Sequence, residues 1–136
     1  GDAASSNGAL NVTVAGNTIS NPGSFALNGL NLSAGTNTGN ANPVCIDISA
    51  NSMTGSGANQ FGGDEDFRLR QRFLTTVQLR GYLGANNDNV AVVAFVRSQQ
   101  SGATATDPTG SAANNVSGGG GGFVNTPGPG NACPQP

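Results

Sequence analysis

"VTVAGNTI", Val12 to Ile19, returns 34 residues later as "IDISANSM", Ile46 to Met53. Val12 falls over Ile46, Val14 over Ile48, Asn17 over Asn51 and Ile19 over Met53. Apolar residues at every second position mark a strand with one buried face. A shift of this size, with an asparagine kept at the same corner, is the pattern of stacked coils in a β-solenoid. Asparagine accepts the left-handed corner conformation, and its amide can hydrogen-bond its counterpart in the next coil. The second reading of the same residues is a β-sandwich in which two ordinary strands both end in asparagine turns. The expected fold is all-β and β-solenoid-like. Its body spans 1–100, and a Gly/Pro-rich tail, 101–136, is pinned to the body or to a neighbouring subunit.

The next strand signal is "FALNGLNLSAG", which alternates at Phe25 and Leu27 and again at Leu30 and Leu32. The longest is "DFRLRQRFLTTVQLR", Asp66 to Arg80. Phe67, Leu69, Phe73, Val77 and Leu79 take the odd positions, with Gln71 and Thr75 between them. Asp66, Arg68, Arg70, Arg72, Thr76, Gln78 and Arg80 take the even ones. As one strand this stretch would reach roughly 50 Å, so it must bend, break near Leu74–Thr75 or project as an arm. "VAVVAFV", Val90 to Val96, is apolar at odd and even positions alike. It is expected to be a central strand covered on both sides, and no stretch shows a helical period that competes with this reading.

Charged residues make up 9% of the chain, against roughly 25% in an ordinary soluble domain. All five basic residues are arginines, and histidine is absent. Low hydrophobicity gives disorder when net charge is high, but the net charge here is −2. Ordered β structure with a nearly neutral polar surface is therefore expected, in a secreted, extracellular or cell-surface setting. The acidic balance argues against nucleic acid as a partner. The seven-residue apolar run is too short for a membrane-spanning helix, which takes about 20 residues, so no membrane insertion is expected. The chain begins at Gly1 without an initiator methionine or a leader, which suggests a processed or excised chain.

Two cysteines, Cys45 and Cys133, fit one disulfide in an oxidising compartment. Intrachain and intermolecular bridges are both open. An intrachain bridge would stabilise the fold by about 4–5 kcal/mol in the chain-entropy model. Asn11, Asn31 and Asn115 head Asn-x-Ser/Thr sequons, acceptors for glycan where the source glycosylates.

Catalysis has little to work with. Without histidine or lysine, proton transfer would fall to Asp, Glu, Arg or Tyr82. The acids Asp64, Glu65 and Asp66 form one contiguous cluster and do not converge from separate coils. No catalytic residue and no cofactor are expected. The same trio is a candidate for calcium through its carboxylates, set against a solvated turn pairing with nearby arginines. Seven of the twelve charges fall at Asp64, Glu65, Asp66, Arg68, Arg70, Arg72 and Arg80, acids ahead of arginines. Such a strip complements a second copy of itself and could set register in self-association. It could also bind anionic glycans.

"NVTVAGNTI", "DFRLRQRF", "AVVAFV" and "NNVSGGGGGF" together resemble the C-terminal region of large bacterial secreted or surface proteins of the right-handed parallel β-helix type. The resemblance covers most of the chain and implies fold and location, with no catalytic residue to carry over. The expected function is that of a non-enzymatic extracellular subunit that self-associates into a surface or filamentous assembly of identical chains. The alternatives are a glycan-binding or glycan-processing β-helix fragment and a C-terminal cap of a large adhesin.

Overall fold

The computed structural model describes residues 10–20, 28–35, 43–57, 65–101, 112–116 and 121–124. Seven strands and one helix follow in the order β1 (Leu10–Ala15), β2 (Asn28–Ala34), β3 (Val44–Ser49), β4 (Glu65–Arg72), β5 (Thr76–Leu79), α1 (Asn89–Ser98), β6 (Ala112–Val116) and β7 (Gly122–Val124). Consecutive strands alternate between two sheets, β1-β3-β5-β7 and β2-β4-β6. Every strand pair is parallel. Parallel neighbours need a long crossover between them, so no hairpin joins any pair among the described strands.

The register follows the apolar pattern. Val12 lies beside Ile46 and Val14 beside Ile48. In the other sheet Leu30 lies beside Phe67 and Leu32 beside Leu69. Val44, Val77 and Phe123 then continue one column across three strands. Ile46, Ile48, Phe67, Leu69, Val77, Leu79 and Phe123 share a single core, so the two sheets bury their inner faces together. Each such side chain contributes about 1.5–3 kcal/mol when fully withdrawn from water.

The stretch 66–80 breaks as its length requires. β4 ends at Arg72, Phe73 takes a left-handed φ of 50°, and β5 starts at Thr76 in the other sheet. Gln71, buried at an inward position, fastens this corner. Its Nε2 donates to the Phe73 carbonyl at 2.7 Å and to the Thr75 carbonyl at 2.8 Å. Those bonds satisfy two carbonyls that a sharp corner takes out of the sheet. Gly121 N–H donates to the same Phe73 carbonyl at 3.1 Å from the chain that leads into β7.

The expected strand over Val90–Val96 is instead most of α1. Asp88 caps it, accepting from the Ala91 N–H at 2.9 Å, and Asn87 with φ 60° turns the chain into it. Val92 and Val96 bury completely, and Ala91, Val93 and Phe95 pack partly against the core. Val90 is 80% exposed. Burial at i and i+4 is a helix face, and an all-apolar run cannot reveal that period by alternation. The cap and its turn decide the matter.

This helix meets the end of both sheets. α1 packs against β6, and the turn before it reaches β7, where the Asn87 N–H donates to the Phe123 carbonyl at 2.7 Å. Tyr82 braces that turn: its hydroxyl donates to the Ala85 carbonyl at 2.8 Å, and its ring meets Phe95 edge-on at 5.4 Å. No helix among the described residues is long and apolar enough to cross a membrane.

Candidate functional site

Two groups of polar residues stand out from the apolar frame. The first is a ladder at the corner after β1 and β3. The Asn51 side-chain oxygen accepts from both the backbone N–H and the Nδ2 of Asn17, each at 3.0 Å. Asn51 Nδ2 donates to the Val14 carbonyl at 2.8 Å and to Gln100 Oε1 at 3.1 Å. Gln100 Oε1 also accepts from the Asn51 N–H at 3.3 Å. Gln100 Nε2 in turn donates to the Ile48 carbonyl at 2.9 Å and to the Val96 carbonyl at 2.6 Å. Each lower amide thus reaches the carbonyl three residues before the amide above it. With Asn51 at 0% exposure, such full satisfaction is what makes a buried amide tolerable.

The left-handed corner residues are not the asparagines. They are the residues before them, Gly16 (φ 69°) and Ala50 (φ 54°). The asparagines leave their backbone unstrained and use the amide to bridge neighbouring corners. The repeat contains no sign of the third rung, Gln100. It follows Asn51 by 49 residues, whereas Asn51 follows Asn17 by 34.

The second group is the charged stretch, and the structure divides it. Asp64 lies outside the described residues. Glu65 meets Arg68 Nε at 3.4 Å and accepts from Asn28 Nδ2 at 3.4 Å. Asp66 is buried despite its place among the even, polar positions. Its Oδ1 accepts from the Gly57 N–H at 3.1 Å, and its carbonyl accepts from Ser56 Oγ at 3.4 Å, so it anchors the Thr54–Gly57 turn. Arg68, Arg70 and Arg72 face outward from β4, because Phe67, Leu69 and Gln71 between them are buried. Arg80 belongs to the other sheet, where its Nη1 meets Asp47 Oδ2 at 3.1 Å. The strip read as continuous in the sequence is therefore an arginine row on one sheet and a single pair on the other.

No three of His, Cys, Asp and Glu come together among the described residues, and of the calcium trio Glu65 and Asp66 have the partners just given. Cys45 is on β3 between inward Val44 and Ile46, so it points away from the core, yet it is only 6% exposed. No free cysteine occurs among the described residues, and Cys133 lies outside them. Of the sequon asparagines, Asn31 is exposed on β2 and Asn11 is half-buried on β1. Asn115 lies in β6 opposite Gln71. Burial, and then the Asp88 carboxylate, push the Tyr82 phenol above its ordinary 10.0.

Family models, curated proteins and solved structures give no match to this chain. What the structure defines is a class: a mostly-strand, all-β chain built on two parallel sheets.

Proposed function

We propose that the chain is a non-enzymatic structural module of an extracellular or cell-surface assembly. In this reading β1/β2, β3/β4 and β5/β6 are successive coils of a right-handed β-solenoid-like stack, closed at one end and open at the other, and the open end self-associates. The observation that carries the reading is the contrast between those ends. β6 and β7 are met by α1 and its preceding turn. At the other edge Val12, Val14, Ile19, Leu30 and Leu32 point inward but stay half-buried, and Leu10 is 53% exposed. Edge strands with half-covered apolar side chains invite another layer.

A second copy, open end to open end, supplies that layer in a closed two-fold pair. Registration by the charged strip needs acids opposite its arginines. With Asp66 covered by its bond from the Gly57 N–H and Arg80 paired on the other sheet, Glu65 is the acid left to the described part of that flank, so self-association is assigned to the open end. The same end favours a second reading, in which preceding coils of a longer adhesin cover it and this module is the C-terminal cap. The sparse charge supports a location outside the cell, and a Cys45–Cys133 bridge would add to that support, which mass spectrometry with and without reductant tests.

Thr13→Pro separates these readings. Leu10 N–H and Gly16 N–H point from β1 to β3, so the odd residues Asn11, Thr13 and Ala15 turn theirs to the free edge. Proline at Thr13 removes an edge donor and leaves the internal ladder whole. Sedimentation velocity is expected to show a pair for the native chain and a folded monomer for Thr13→Pro. A native chain that stays monomeric at high concentration sinks the self-association reading and leaves the cap.

A further inference from the structure

Three of the five basic residues of the chain, Arg68, Arg70 and Arg72, occupy alternate positions of one strand. β4 is the middle strand of its sheet, so the row crosses the centre of that outer face. Neighbouring outward positions lie about 6.6 Å apart along a strand. On β2 the residues in register are Asn31 beside Arg68 and Ser33 beside Arg70, both short, polar and exposed. Long cationic side chains next to short amide and hydroxyl side chains form a straight polar strip.

Like charges this close repel one another, and a wet strand face needs none of them for folding. Little on the described flank compensates Arg70. Glu65 serves Arg68, and Asp66 is committed to the Gly57 N–H. Arg70 has no ion pair among the described residues, and its Nε, shielded from water, has no hydrogen-bond partner. With Nε covered, the two Nη groups at the end of the guanidinium are the donors left to offer parallel N–H bonds to an oxyanion.

We infer that this row binds an extended polysaccharide bearing carboxylate or sulfate groups. The arginines take the oxyanions, and Asn31 and Ser33 are placed to meet sugar hydroxyls. A straight strip along one strand suits an extended chain better than a compact ligand. Single-stranded nucleic acid fits less well, because its bases stack on aromatic side chains. The outward positions of β2 and β4 hold Gly29, Asn31, Ser33, Asp66 and the arginines, with no aromatic among them. Duplex binding needs a broad basic field, and the chain carries a net charge of −2.

The test is fluorescence anisotropy with labelled heparin and hyaluronan oligosaccharides of equal length and with oligothymidylate, at low and physiological salt. Binding of at least one glycan that weakens with salt is expected. Arg70→Ala should weaken it about tenfold, the scale of losing a charged hydrogen-bonding group. The Arg68→Ala/Arg70→Ala pair should weaken it further, and Arg70→Lys, which keeps the charge but loses the fork, should fall between. Arg97→Ala removes the same charge from α1 and should leave binding unchanged. Heparin binding alone assigns the contact to sulfate, and equal binding of both glycans assigns it to carboxylate. Far-UV circular dichroism of each variant checks that these outward substitutions keep the fold. Three results overturn the inference: no glycan binding at low salt, an equal loss with Arg97→Ala, or tighter binding of oligothymidylate than of either glycan.

Discussion

Leu30 and Phe67 sit side by side in the same sheet, at the same inward position of neighbouring parallel strands. Phe67 is 0% exposed, while Leu30 stays half-buried. Both belong to the same alternating pattern, so the difference comes from what lies on either side. β4 has β2 and β6 beside it, whereas β2 is an edge among the described strands. At the far side the last strands are met by α1 and its turn. In the proposed reading, one short capped helix separates a closed end from an open one. Covering an edge with a helix is one of the standard defences against unwanted strand pairing.

That comparison can be broken or sharpened by mutation. The largest effect is expected for Phe67→Ala, about 3–5 kcal/mol of unfolding free energy, because a fully enclosed ring leaves a cavity that cannot collapse. Leu30→Ala, measured by denaturant unfolding in dilute solution, should cost less than about 2 kcal/mol. The cost should rise with protein concentration if a second copy covers that end. Equal costs in dilute solution would mean that the β1/β2 end is already closed.

The corner ladder gives a second, smaller contrast. Asn51→Ala strips partners from Asn17, Gln100 and the Val14 carbonyl at once, and should cost about 3 kcal/mol through the buried groups it orphans. Asn17 is exposed at the open end, so Asn17→Ala should cost below about 1 kcal/mol. Thermal unfolding of the two single variants checks the order.

The smallest effect belongs to the closed end and depends on pH. Tyr82 has its folded-state pKa raised, first by burial and then by Asp88. The neutral phenol is therefore the form the fold favours. Its contribution is fully present below the unfolded value of 10.0 and is lost as pH rises through the higher folded value. Stability of the native chain should fall more steeply above about pH 10 than that of Tyr82→Phe, which cannot ionise. Hydrogen exchange should place the loosening at the Ala85–Asp88 turn and β7, with β1 and β2 unaffected.

Much of the frame is readable in the residues. The shift of 34 that sets Val12 beside Ile46 and Val14 beside Ile48 is visible in the sequence because strand alternation and register share a period of two. That the 66–80 stretch must bend, break or project follows from its length, and the break between Arg72 and Thr76 is the one of these the fold takes. Where reading fails, a tertiary partner decides. Asp66 alternates as a surface residue, but the Gly57 N–H, folded back from nine residues earlier, draws it under cover. Val90–Val96 carries strand-forming valines with no polar face to show a helical period, and Asp88 tips it into a helix. Gln100 has no counterpart at the repeat distance, since α1 intervenes before the chain returns to the corner. The arginine row is plain in sequence, but its separation from Arg80 and from Asp66 is not.

The third rung of the ladder has a consequence for how the chain could change. Val77 follows its register partner Val44 by 33 residues, yet Gln100 follows Asn51 by 49, so sixteen extra residues enter one turn and leave the corner bonds intact. The corner acts as a socket that accepts an amide from whatever segment returns to it. Lengthening or exchange within the 83–98 segment should then be tolerated as long as it delivers a glutamine or asparagine to Asn51 and keeps apolar side chains in the places of Val92 and Val96. Such a site is where variation among sequences of this kind, or a grafted element, would be accommodated at least expense to the rest of the fold.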